Sequence, residues 1–377
     1  MKLSRLWLPV FCLLFACDQH FAPSEDGSSR RGRLVKADTL AVYTTESIEQ
    51  ILSFSGYEPE TELLYDVTVL QMVYYSTDAY DNPTRVSGAV ILPRLDASGP
   101  LLSIQHGTVF KRDEVASVSP LNSAEGLVGL VFASSGYRIC IPDYIGFGVS
   151  EAMHPYIQAQ PGARVVVDLL RAFKSWRRDS GLPESTDLFL GGYSEGGYVT
   201  MAAHKSIEQE HADEFDLTAS APCAGPYDLY GYTMRILETL RYPEPANLAF
   251  LLTAFNETYN LKALEDMFQT PYAGRMRDLF NGSQSYSRIN AQLPDSLALL
   301  LSPDFVERLR SQDYGEQSWV ARLIRQLREN TLLDWAPRAP MCLFHGKADR
   351  TVDVKNSIAA IDRLRENGAV AVNLVLY

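Results

Sequence analysis

Apolar and polar positions switch between two periods along this chain, and the switching predicts its elements. Leu63–Tyr75 and Val86–Leu92 read as a pair of strands, joined by a turn-rich stretch that holds Asp81-Asn82-Pro83. Leu101–Gln105 is a short apolar strand ending at His106-Gly107, and Tyr137–Ile141 is another, closed by Pro142-Asp143. Ala124–Ser135 between them reads as a helix. From Arg164 to Trp176 the apolar residues fall at 165, 166, 169, 170, 173 and 176, one face of an amphipathic helix. Asp187–Tyr193 is a strand and Glu195–Glu210 a helix, followed by strands at Leu217–Cys223 and Met341–His345. Asp353–Glu366 is a helix with Gly368 as its stop signal, and Val370–Leu376 is the last strand. Eight strands, the later ones alternating with helices, predict an α/β fold: a mostly parallel sheet with helices on both faces.

The alternation stops between Gly225 and Pro340. Residues 226–339 are rich in Tyr, Leu, Phe and Pro and read as mostly helical. An insertion after one strand of a sheet fits a cap over the mouth of a site; the alternative is a second domain unrelated to chemistry. Its aromatics, among them Tyr227, Tyr230, Tyr232, Tyr242, Phe250, Phe255 and Tyr259, suit either a pocket lining or an ordinary helical core.

The N-terminus follows a different logic. Lys2 and Arg5 precede an apolar stretch, Leu6 to Ala16, too short for the roughly 20 residues a membrane span needs but suited to a signal segment. Leu14-Phe15-Ala16-Cys17 resembles the lipobox of bacterial lipoproteins, which implies a lipidated Cys17 and an exported protein anchored to the cell envelope, at the outer membrane or cell surface. A plain signal peptide with an incidental cysteine is the alternative. Asp18 to Lys36 is polar and reads as a tether. The organisation expected is therefore a signal peptide (1–16), a lipidated tether and leader (17–60), a core (61–225 and 340–377) and a helical cap (226–339). The formal charge of −12 comes with no basic stripe, which argues against nucleic acid. Cys140, Cys223 and Cys342 lie in apolar runs without Cys-x-x-Cys spacing, which suggests neither a disulfide framework nor a metal site.

Candidate chemistry centres on Gly192-Tyr193-Ser194-Glu195-Gly196. A serine hydroxyl is a weak nucleophile unless lifted clear of the fold and given a base. Glycines two residues either side of Ser194 allow a sharp strand-to-helix turn, and here an apolar strand precedes and a helix follows. Four further segments accompany it in order: Val73-Tyr74-Tyr75-Ser76-Thr77-Asp78, with Pro83, Gly88 and Pro93; Gln105-His106-Gly107-Thr108; Pro142 to Ser150; and His345 to Val352. Together these resemble the bacterial secretory lipase/esterase group of the α/β-hydrolase fold. The resemblance implies a serine carboxylic-ester hydrolase working through an acyl-enzyme, on an ester or lipid-like substrate and without metal or organic cofactor. It places the nucleophile at Ser194, the acid at Asp349, and the oxyanion donors at the N–H groups of Glu195 and Thr108. Asp353 is the runner-up acid, better suited to capping the next helix. The resemblance gives His106, His345 and Asp143 structural roles.

The base is missing from this pattern. The fold's chain order is Ser, acid, His, and none of the six histidines (20, 106, 154, 204, 211 and 345) follows Asp349. His154 approaches the site along the chain but does not match the base position. The expectation is a C-terminally truncated hydrolase that is inactive as it stands. A serine peptidase of the same fold, or a non-catalytic ligand-binding pseudoenzyme, are the alternatives.

Overall fold

The computed structural model describes residues 30–56, 61–95, 98–294, 296–312 and 314–377. The signal segment and Cys17 lie outside the described residues. The strands are β1 (Leu34–Tyr43), β2 (Val67–Thr77), β3 (Pro83–Pro93), β4 (Leu101–Gln105), β5 (Arg138–Pro142), β6 (Leu188–Tyr193), β7 (Ala219–Cys223), β8 (Met341–His345) and β9 (Val372–Leu376). They form one sheet in the order β1-β2-β3-β5-β4-β6-β7-β8-β9. Pairing is antiparallel from β1 to β5 and parallel from there to β9.

The strand period of two distributes side chains to two cores. Val67 and Val69 of β2, Ala89 and Ile91 of β3, and Ile139 and Ile141 of β5 join one apolar cluster. That cluster includes Ile48 and Leu52 of α1 (Thr45–Ser55) and Leu130 and Val131 of α2 (Ala124–Ser134). The intervening residues, Leu70, Met72, Tyr74, Val86, Val90 and Cys140, join the cluster that holds α3 (Ala159–Asp179) and α4 (Glu195–Glu210). The Arg164–Trp176 face predicted from spacing is the buried face of α3, with Val165, Val166, Leu169, Leu170 and Phe173 almost fully enclosed.

Among the described residues the sheet has nine strands rather than eight, because the leader contributes one. Residues 17–60 are expected to be a lipidated tether and leader without a strand of the sheet, yet β1 pairs with β2 from Leu34 to Tyr43, and α1 follows it. Arg31 also reaches the fully buried Asp168 of α3 at 3.0 Å, beside Arg171 at 2.9 Å and Ser76 at 2.7 Å. The physical reason is that β1 is an edge strand with little of its surface buried, so it lacks the apolar alternation that marks β2.

Among the described residues eight α-helices connect β7 to β8: α5 (Leu229–Thr239), α6 (Pro245–Thr258), α7 (Leu264–Met267), α8 (Met276–Leu279), α9 (Tyr286–Asn290), α10 (Leu297–Leu300), α11 (Pro303–Ser311) and α12 (Trp319–Glu329). The last helix, α13 (Lys355–Glu366), packs under β8 and β9. The aromatics of the 226–339 segment divide between the two roles open to them. Tyr227, Phe250 and Phe255 are core, whereas Tyr232 and Tyr242 line a cavity.

Candidate active site

Ser194 sits at the turn from β6 into α4 with φ 58° and ψ −119°. A non-glycine residue in that region costs about 1–3 kcal/mol and persists only where its surroundings over-determine it. They do so here through close backbone approach. A Cβ on Gly196 would lie 2.0 Å from the Gln105 carbonyl oxygen, and one on Gly197 would lie 2.2 Å from that of Cys223. The Ser194 N–H donates to the Cys223 carbonyl at 2.9 Å, and its carbonyl accepts from Tyr198 N–H at 3.1 Å. The serine is thereby pinned to the ends of β4 and β7 while its side chain faces a cavity.

The 106–108 segment lies beside this elbow. A Cβ on Gly107 would approach the Tyr193 carbonyl oxygen at 3.4 Å. The Gly107 N–H is taken by Glu125 Oε1 at 2.9 Å, and Thr108 Oγ1 meets the Tyr156 hydroxyl at 2.9 Å. Among the described residues the N–H groups of Thr108 and Glu195 have no partner; that of Glu195 directly follows Ser194, and Thr108 follows the glycine that packs against Tyr193. Glu125 escaped the sequence reading, since nothing in its spacing ties it to Gly107.

Asp349 occupies the loop after β8, largely buried. Its Oδ1 accepts from the N–H groups of Thr351 (2.8 Å) and Val352 (3.0 Å), two residues that line the Ser194 cavity. Burial, then the Asp349 charge, raises the Tyr193 hydroxyl above its ordinary pKa. Asp353 instead accepts from the Lys355 N–H at 2.9 Å, at the start of α13.

No described histidine hydrogen-bonds Ser194. His345 places Nε2 on the Val352 carbonyl at 2.8 Å and Nδ1 on Ser357 Oγ at 2.7 Å. The ring nitrogens of His106 face the Gly107 and Asp143 carbonyls, and its ring stacks on Tyr144. Asp143 accepts from the hydroxyls of Ser87 (2.6 Å) and Ser117; burial raises its pKa against the lowering effect of those two bonds. His204 lies further along α4 and His211 just past its end, away from Ser194.

His154 does come close, though not to the serine. Its Nε2 meets Glu195 Oε1 at 2.6 Å and its Nδ1 meets the Ile145 carbonyl at 2.8 Å, with both side chains buried. The carbonyl only accepts, so Nδ1 carries a proton and donates. The short contact to Glu195 then holds one proton between an imidazole and a carboxyl, and the pair is neutral overall. Glu195 entered the sequence reading only through its backbone N–H; its side chain was not foreseen, because His154 lies 41 residues away in the chain.

Ser194 lines a cavity whose empty space, counted together with the open solvent at its mouth, is about 410 Å³. Its walls are mostly apolar, with Ile157, Leu229, Ile236, Leu248 and Leu251 joined by Tyr156, Tyr232 and Tyr242. Burial holds the Tyr156 and Tyr232 hydroxyls well above their ordinary pKa, and Tyr242 at about 12. Among the described residues no group of three or more His, Cys, Asp or Glu is placed to hold a metal ion.

Comparison with known proteins agrees with this fold. A Mycobacterium tuberculosis protein named as a probable inactive lipase is 26% identical over 341 residues, covering 84% of this chain and 69% of that protein. The ligand-bound structure of LipA, a rice cell wall degrading esterase from Xanthomonas oryzae, is 30% identical and superposes with a TM-score of 0.82. That match covers 92% of this chain and 90% of LipA. Closed Candida antarctica lipase A, at 16% identity, 94% and 78% coverage and a TM-score of 0.69, shares the fold. Residues 123–375 match the secretory lipase family, an ester-hydrolase family of α/β-hydrolase fold, and the chain belongs to it.

Proposed function

We propose that this protein is a serine carboxylic-ester hydrolase whose chemistry is organised around Ser194. The observation that carries the reading is the forced conformation of Ser194 at a strand-to-helix turn lining an apolar cavity, next to the open N–H of Glu195. In the proposed reaction the Ser194 oxygen attacks the ester carbonyl. The N–H groups of Glu195 and Thr108 hold the oxyanion, the alcohol leaves with a proton, and water then releases the acid from the acyl-enzyme. Asp349 is the proposed acid, oriented by the N–H groups of Thr351 and Val352. The 226–339 segment serves as the cap, since α5 and α6 supply much of the cavity wall.

No described histidine stands ready to take the serine proton, so the 377-residue chain is proposed to be nearly inactive. Catalysis without a base retains only about 10³–10⁴-fold over water. The experiment is p-nitrophenyl ester hydrolysis by the purified chain, together with covalent labelling by an alkyl fluorophosphonate. Slow labelling confined to Ser194, with negligible turnover, is expected. Turnover at an ordinary esterase rate would refute the missing base, and labelling that survives Ser194→Ala would refute the nucleophile.

The proposal extends to location: an exported protein held at the cell envelope through a lipid on Cys17. Incorporation of labelled palmitate by the wild type but not by Cys17→Ala is the expected result; equal incorporation would overturn the anchor.

A further inference from the structure

We propose that the cavity beside Ser194 is built for an ester arm that carries a hydroxyl group. This rests on the esterase reading only in calling the ligand an ester. Two oxygens on residues lining the cavity, Glu195 Oε2 and Asn247 Oδ1, are buried with no hydrogen-bond donor among the described residues. Leaving an acceptor buried and unpaired costs free energy, which a ligand donor recovers.

Proton counting fixes both groups as acceptors. The Thr351 carbonyl can only accept, and it lies 2.6 Å from the Tyr232 hydroxyl, which therefore donates to it. Tyr232 has then spent its one proton, so the Tyr242 hydroxyl 2.9 Å away donates to Tyr232. Tyr242 in turn has only an oxygen left to offer the Asn247 side chain beside it, which lowers the Tyr242 pKa as a donor does. The amide must present its NH₂ to Tyr242, and Oδ1 is left over.

At Glu195 the 2.6 Å contact with His154 takes the one proton available, whichever atom owns it. Oε2 is an acceptor in both cases. The His154–Glu195 pair is neutral overall, which favours an uncharged hydroxyl over an ammonium as the donor. Apart from Ser194 and Thr351 the remaining walls are apolar or aromatic, so the arm is mostly hydrocarbon and bears a hydroxyl.

The test uses the full chain and neutral, non-hydrolysable probes: hexanamide, its 2-, 3- and 6-hydroxy derivatives, 6-aminohexanamide and 5-oxohexanamide, titrated by calorimetry. One hydroxy isomer should bind on the order of ten- to hundredfold more tightly than hexanamide. Asn247→Leu should erase most of that preference. Tyr242→Phe removes the acceptor that orients the amide, so Asn247 is free to turn; 5-oxohexanamide, disfavoured by the wild type, should then bind within about threefold of the best hydroxy isomer. Circular dichroism and melting of both variants establish that they are folded, and either one suffices for the comparison.

Equal binding of hexanamide and every hydroxy isomer overturns the proposal, as does binding of none of them. A preference that survives Asn247→Leu also overturns it, and tighter binding of the ammonium probe overturns the choice of hydroxyl. Failure of fluorophosphonate to label Ser194 while the hydroxyl preference persists would refute the esterase reading and leave this one standing.

Discussion

Helix α4 carries a buried histidine–glutamate pair at each end, and the two are satisfied very differently. Near its C-terminal end, His204 Nε2 meets Glu208 Oε1 at 3.0 Å, and His204 Nδ1 meets Ser220 Oγ at 2.8 Å. Glu208 also accepts from the N–H groups of Arg338 on both oxygens and from Ala339 at 2.6 Å. No oxygen is left over, and the pair ties α4 to the chain entering β8. At the N-terminal end, the Glu195 carboxyl has among the described residues only His154 as a partner, and one orphaned oxygen beside the nucleophile. The first pair holds the fold. The second sits where a ligand would complete it.

The largest effect expected from this contrast is catalytic. If the front end lacks only a base, free imidazole should raise p-nitrophenyl ester turnover roughly ten- to hundredfold above the imidazole background. Ser194→Ala should abolish the increase completely. An imidazole effect that survives in Ser194→Ala, or no effect at all on the wild type, would mean that the elbow is not poised for the reaction.

The back end should be the more sensitive to loss of its carboxylate. Glu208→Ala leaves two backbone N–H groups and His204 without an acceptor and should cost about 3 kcal/mol in urea unfolding. Burial alone would raise the Glu208 pKa, but His204 and the Ala339 and Arg338 N–H groups outweigh it and hold it at about 2. Because the folded pKa lies below the ordinary carboxylate value, this contribution is fully present above about pH 4.5 and is lost as pH falls toward 2. The wild type should therefore lose more stability than Glu208→Gln over that window. Parallel pH profiles would remove Glu208 from the account.

What the sequence made legible, and what it hid, follows the same division. The elbow could be read because its glycines answer a local demand: carbonyls of β4 and β7 lie where side chains would be. The buried faces of β2, β3 and α3 could be read because burial imposes a period. By contrast, β1 is an edge strand whose mostly exposed surface carries no such period. Asn247 was out of reach too, because it comes beside Tyr242 only after folding, and Tyr242 is in turn tied through Tyr232 to the Thr351 carbonyl. Glu125 and His154 act on Gly107 and Glu195 across similar tertiary gaps.

The smallest expected effect is also the one that tests the comparison most directly, because the same chemical change is made at both ends. Glu195→Gln should alter stability by less than about 1 kcal/mol. His154 Nδ1 keeps its proton on the Ile145 carbonyl, so neutral Nε2 accepts from the new amide N–H. The amide oxygen is as orphaned as the carboxyl oxygen it replaces, and the pair stays neutral. Glu208→Gln has no such escape, because a new N–H would face the Arg338 and Ala339 donors; about 2 kcal/mol should be lost. Equal costs at the two ends would mean that the Glu195 carboxylate is as tightly held as that of Glu208, and that the front of α4 is as complete without a ligand as its back.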